Sequence, residues 1–178
     1  MKVINTKFYG LKIIQQKKHG DGRGFLRETF RKKIIKWDNL IFDYSTTSKK
    51  NILRGFHFQS KFKQAKFVSV LKGKILDCVI DLRKNSKTFG KNFSIELSEK
   101  NCKSLYIPEG FAHAYYSYSN LNIIYYKLSN YYHPKYEDGI IWNDNSIKNI
   151  WPTNKPIISK KDKKLKTLSE FIKIYKSL

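Results

Sequence analysis

Apolar residues along the chain recur with a period of two in short runs, and turn-forming residues separate the runs. In KILDCVIDL (74–82), alternation puts Leu76, Cys78, Ile80 and Leu82 on one face and Ile75, Asp77, Val79 and Asp81 on the other. In QAKFVSVL (64–71), Lys66 shares a face with Val68 and Val70, and the link KG (72–73) predicts that these two runs form a hairpin. FLRETF (25–30), NILRGFHFQS (51–60), NFSIELS (92–98), KSLYIP (103–108), AHAYYSYS (112–119) and NIIYYKLS (122–129) extend the series, with HGDGRG (19–24), EGF and SNLN as turns. Two segments break the pattern. KKIIKWDNL (32–40) predicts a short helix, and LKTLSEFIKIYKSL (165–178), apolar near helical spacing, predicts another. Many short strands with no internal repeat and no linker predict one all-β domain over 1–178, a sandwich or jelly roll.

Composition agrees and narrows the partners. The 12 Tyr, 12 Phe and 3 Trp suit pleated, half-buried surfaces. Two cysteines, Cys78 and Cys102, are too few for a secreted disulfide scaffold, which leaves a reducing cytoplasm as the expected compartment. MKVINTKFYG lacks an apolar signal core, and no run approaches the roughly 20 apolar residues of a membrane helix. The net charge of +22 raises nucleic acid as a partner. However, the 36 basic residues are 31 Lys and 5 Arg, and the lysines are spread along the chain, whereas base and phosphate readout favours Arg. We therefore expect neither nucleic acid nor membrane as partner. A basic surface still suits an anionic small molecule.

Polar residues on otherwise apolar strand faces occur in ligand-holding barrels and at sheet edges, and alternation alone does not separate the two. His57, between Phe56 and Phe58, reads as a buried ring, a metal ligand or a proton carrier. A metal needs several His, Cys, Asp or Glu donors. Gln59 stands where a second histidine would be, His19 lies in a turn and His133 precedes Pro134, so only His57 and His113 remain. No metal site is expected, which leaves acid–base chemistry.

The segments GDGRGFLRETF, ILRGFHFQ, QAKFVSVLKGKILDCVIDLR, SKTFGK, YIPEGFAHAYYSYS, YYKLSNYYHP, IIWND and WP…SKKD, taken in order, resemble the dTDP-4-dehydrorhamnose 3,5-epimerase family from about residue 3 to about 165. The resemblance implies a cupin-type jelly roll, a homodimer, no cofactor, and as substrate a nucleoside diphosphate 4-keto-6-deoxy sugar for a surface glycan. It implies His57 as base, Asp162 as the carboxylate that orients it, Lys66 at the C4 oxyanion and Tyr126 as the acid on the opposite face. It implies Arg54, Arg23, Glu28, Gln59, His113, Tyr132 and Asp77 around the substrate, some reaching across the dimer. Arg54 lies three residues from His57 and would point away from it on a regular strand; a bulge at Gly55 would re-aim one of them. The chain departs from the family at Tyr44, where Asn is usual, and at Ala114-Tyr115, where Gly-Phe is usual. Those departures leave open a single-centre epimerase or ketoisomerase on another nucleotide sugar, or a non-catalytic binder.

Overall fold

The computed structural model describes residues 1–147 and 150–178. Its strands along the chain are β1 (Lys2–Asn5), β2 (Lys12–Gln15), β3 (Lys18–Asp21), β4 (Gly24–Arg27), β5 (Phe42–Ser48), β6 (Leu53–Gln59), β7 (Lys66–Lys72), β8 (Lys74–Asp81), β9 (Asn92–Ser98), β10 (Lys103–Ile107), β11 (Phe111–Ser117), β12 (Asn122–Leu128) and β13 (Glu137–Gly139). A helix, α1 (Leu168–Tyr175), follows near the C-terminus. One sheet has the order β1-β2-β10-β7-β12-β5 and the other β13-β6-β11-β8-β9, while β3 and β4 form a separate hairpin. From β5 to β8, and again from β9 to β12, every link carries the chain from one sheet to the other. This is a cupin-like jelly roll, the all-β fold expected.

The alternation of period two is realised on both faces of the central strands. Val68, Val70, Ile75, Val79, Leu105 and Ile124 pack between the sheets. Cys78 and Ile80, from the other face of β8, and Leu82 just after it pack instead with Ile140, Trp151, Leu168 and Phe171, so the C-terminal segment covers the five-stranded sheet. Phe67 and Tyr106 pack with Ile35, and with Phe30, Ile34 and Leu40 beside them, so the segment around 30–40 covers the other sheet. The covering helix starts on a capping box: Thr167 Oγ1 accepts from Glu170 N at 3.2 Å, and the Glu170 carboxylate accepts from Thr167 N at 2.7 Å.

Two expectations are corrected. Residues 64–82 are not a hairpin: β7 lies between β10 and β12, and β8 lies in the opposite sheet between β11 and β9. Gly73 turns this corner with φ +82°, and a Cβ there would stand 2.4 Å from the Leu121 carbonyl oxygen. Side chains hold the corner, since Glu99 accepts from Gly73 N and Asn122 Oδ1 accepts from Lys74 N. Lys-Gly fits a hairpin turn and a sheet-to-sheet corner equally well. Residues 32–40 are not a helix either. Ile34 N and Ile35 N both bond Arg31 O, and the turn goes no further. Ile35 is fully buried, Trp37 packs on Tyr106, and the Tyr106 hydroxyl donates to Asp38. Such a short helix is marginal on its own, and these tertiary contacts outweigh it.

Candidate active site

One end of the space between the sheets opens as a cavity of about 480 Å³, within the usual range for small-ligand sites. Strand β6 supplies its first wall. Opposite β11, His57 pairs with His113 and Arg54 with Tyr115, so β6 carries one residue more than its partner across this stretch. The bulge sits at Gly55, and it puts both Arg54 and His57 on the cavity. Gly55 has φ +108°, and a Cβ there would lie 2.4 Å from the His113 carbonyl oxygen. Only glycine lets the two backbones approach this closely.

The C-terminal segment completes this wall. Ile157 pairs beside Ile52, with Leu53 N donating to Ile157 O at 3.0 Å and Ile157 N to Asn51 O at 2.8 Å. The chain then turns so that Asp162, nearly fully buried, meets a histidine 105 residues away in sequence: His57 Nε2 to Asp162 Oδ1 is 2.9 Å. The second carboxylate oxygen accepts from Gly55 N at 3.2 Å, so the bulge glycine also anchors the acid. Burial pushes the Asp162 carboxyl up. The hydrogen bond from His57, its charge and the Gly55 N–H outweigh burial and hold the group below its ordinary value. An ionised Asp162 requires the proton on Nε2 and leaves the Nδ1 lone pair to take another.

The facing sheet supplies Lys66 from β7 and Tyr126 from β12. Among the described residues Lys66 forms no ion pair. Burial lowers its ammonium to about 8, against the opposing charges of Glu137 and Asp77. The Tyr126 hydroxyl has no hydrogen-bond partner among the described residues. Burial, then the neighbouring Tyr115, Tyr44 and Asp77, push its phenol well up, so it keeps its proton at neutral pH. Its ring stacks on Tyr44 at 5.0 Å and meets the edge of His113 at 6.1 Å. His113 is held by Asp77, Nε2 to Oδ2 2.9 Å, with Asp77 fully buried behind it. Arg54 donates to Ser48 Oγ, and the Tyr115 hydroxyl lies 2.8 Å from that oxygen and 3.2 Å from Thr46 Oγ1, so the extra hydroxyl of Tyr115 is satisfied.

Five expected residues do not line the cavity; one of them, Asp77, is buried behind His113. Arg23 pairs with Asp21 at the tip of the β3–β4 hairpin, its side chain 91% exposed. Glu28 pairs with Arg31 at 2.5 Å. Gln59 is buried and pins the loop after β12, donating to Phe62 O and accepting from His133 N. The Tyr132 hydroxyl donates to Glu137 at 2.6 Å and so reaches the site at one remove. Two groups at the site were missed in the sequence. Glu137 Oε1 is 3.9 Å from His57 Nδ1, and Lys161 bonds the same carboxylate and lines the cavity. Lys161 adjoins Asp162 and could have been inferred from it; Glu137 carried no pattern of its own. No group of three or more potential metal donors occurs among the described residues.

A half-buried histidine bonded to a buried carboxylate faces an unpaired ammonium and a protonated phenol across the cavity. Such a set can take a proton from carbon, stabilise an enolate and return a proton from the other side. The family model described as dTDP-4-dehydrorhamnose 3,5-epimerase matches residues 5–170. The chain belongs to the dTDP-4-dehydrorhamnose 3,5-epimerase family. The family member of Methanothermobacter thermautotrophicus is 40% identical over 94% of this chain and 94% of its own, and that of Escherichia coli is 39% identical over 98% of each. A Legionella pneumophila dTDP-6-deoxy-D-glucose-3,5-epimerase, solved in complex with dTDP-4-keto-L-rhamnose, superposes with TM-score 0.89 at 38% identity, over 94% of this chain and 93% of that one.

Proposed function

We propose that this protein epimerises a dTDP-linked 4-keto-6-deoxy hexose at C3 and C5, without a cofactor, in the synthesis of a surface glycan sugar. The observation that carries the reading is the convergence of the His57–Asp162 pair with Lys66 and Tyr126, brought from facing sheets, on one cavity. The C4 ketone acidifies the C3–H and C5–H bonds. His57 Nδ1 takes the proton, the C–H electron pair moves into the ring, and the C4 oxygen gains negative charge. Lys66 donates to that oxygen where screening by water is weak. Asp162 stabilises the imidazolium that forms. The Tyr126 hydroxyl then gives its proton to the opposite face of the carbon. Each inversion leaves one proton gained on His57 and one lost from Tyr126, and exchange with solvent restores both before the next.

Arg54 at the mouth suits the diphosphate. We also propose a homodimer and a cytoplasmic location. Support for the dimer lies in the β3–β4 hairpin, whose Phe25 and Leu26 are 48% and 68% exposed, and which carries Arg23. Incubation with dTDP-4-keto-6-deoxyglucose in heavy water tests the reading. Deuterium at both C3 and C5 with inversion at each is expected. Label at one carbon only would restrict the enzyme to that centre, and label at neither would remove the activity.

A further inference from the structure

We propose that Tyr44 is a positioning residue: its ring holds the Tyr126 phenol against the cavity and screens it from water on the open side. The inference rests on Tyr126 as the acid of the epimerase reading. Tyr44 and Tyr126 are direct partners in the β5–β12 register, and their rings stack at 5.0 Å with an interplanar angle of 22°. The Tyr126 hydroxyl has no protein hydrogen bond among the described residues, so packing alone sets where it points. Two rings do that packing. His113, tied to Asp77, meets Tyr126 edge-on at 6.1 Å. Tyr44 covers a ring face, and Phe42 and Tyr131 back it in turn, at 6.0 and 5.4 Å between successive ring centres.

The two supports differ in exposure. His113 is buried, whereas Tyr44 lies on the edge strand of its sheet and is 42% exposed. Tyr44 is therefore the layer between the phenol and solvent. The groups that face the phenol from the surrounding strands are Asp77 on β8, Arg54 on β6, Tyr115 on β11 and Tyr44 itself. Taking the Tyr44 ring away opens the phenol to water and lets its ring turn. A misplaced acid leaves proton removal by His57 intact and fails at reprotonation.

The test compares Tyr44→Ala with Tyr44→Phe. In heavy water, the ratio of deuterium incorporated with retained configuration to deuterium incorporated with inversion is expected to rise about tenfold in Tyr44→Ala, part of the roughly 10²–10⁴-fold that a positioned acid supplies. Tyr44→Phe, which keeps the ring, is expected to hold the parent ratio. In parallel, 3-fluorotyrosine placed at position 126 is titrated by fluorine NMR. Its phenol is expected to ionise at lower pH in Tyr44→Ala than in the parent. A slower enzyme with an unchanged ratio, or an unchanged fluorine titration, overturns the proposal. If the parent exchanges neither proton, the epimerase reading itself has failed, and the fluorine titration alone then decides whether Tyr44 screens this phenol.

Discussion

The two walls of the cavity are secured by different forces. On the β6 wall, hydrogen bonds fix everything: Asp162 holds His57 Nε2, Gly55 N–H holds Asp162, and backbone bonds tie Ile157 to Asn51 and Leu53. On the facing wall, the reactive groups are left free. Lys66 has no ion pair and Tyr126 no hydrogen bond among the described residues; apolar and aromatic packing confines Tyr126. In the proposed reaction the difference follows from the work assigned to each wall. A base must keep one tautomer and have its positive charge stabilised, so it needs a partner. An oxyanion donor and a proton donor must offer their hydrogens to the substrate, so a protein partner would compete.

Breaking the bonded wall at its centre should have the largest effect. His57→Ala is expected to lower proton exchange at C3 and C5 by at least the roughly 10²–10⁴-fold of a general base. Binding of dTDP, measured by calorimetry, should be little changed. Unchanged exchange would take His57 out of the mechanism.

On the free wall, Lys66→Met is expected to cost about 10²–10³-fold in kcat, the usual worth of one oxyanion donor. The same residue predicts a pH limb. In the proposed reaction Lys66 acts in its protonated form, and its pKa is lowered to about 8, so kcat/KM of the free enzyme should fall as pH rises through about 8. A Lys66→Arg variant should push that limb to higher pH. A limb that stays put assigns it to another group.

The smallest effect is on stability. Asp162 is held below its ordinary value in the folded protein, so it adds stability that is full above the unfolded-state value and fades as pH falls through the folded one. Asp162→Asn should flatten that part of the acid limb of thermal stability. An acid limb that keeps its shape would mean the His57–Asp162 bond adds nothing to folding.

The legibility of the sequence follows the same division. Strands β8 and β12 were read within a residue or two, because apolar residues recur at every second position along the face that packs between the sheets. The sheet-to-sheet corner at Gly73 was not legible, since a corner and a hairpin ask the same of the backbone. The bulge was legible only as a need, from a glycine between two residues that had to share a face. Asp162 in SKKD had the look of a solvated acid, and only the family resemblance selected it. Its partner is 105 residues away, and such pairing leaves no local pattern. Glu137 was missed for the same reason. Arg23 and Glu28, which the resemblance put around the substrate, pair instead with Asp21 and Arg31 outside the cavity.

In the proposed reaction, abstraction and reprotonation belong to opposite walls. Tyr126→Phe, followed through a single turnover in heavy water, tests this most directly. Deuterium is expected still to enter C3 and C5 but with configuration retained, so that inversion falls far more than exchange. Equal losses of exchange and inversion would contradict it, placing both proton transfers on the same group.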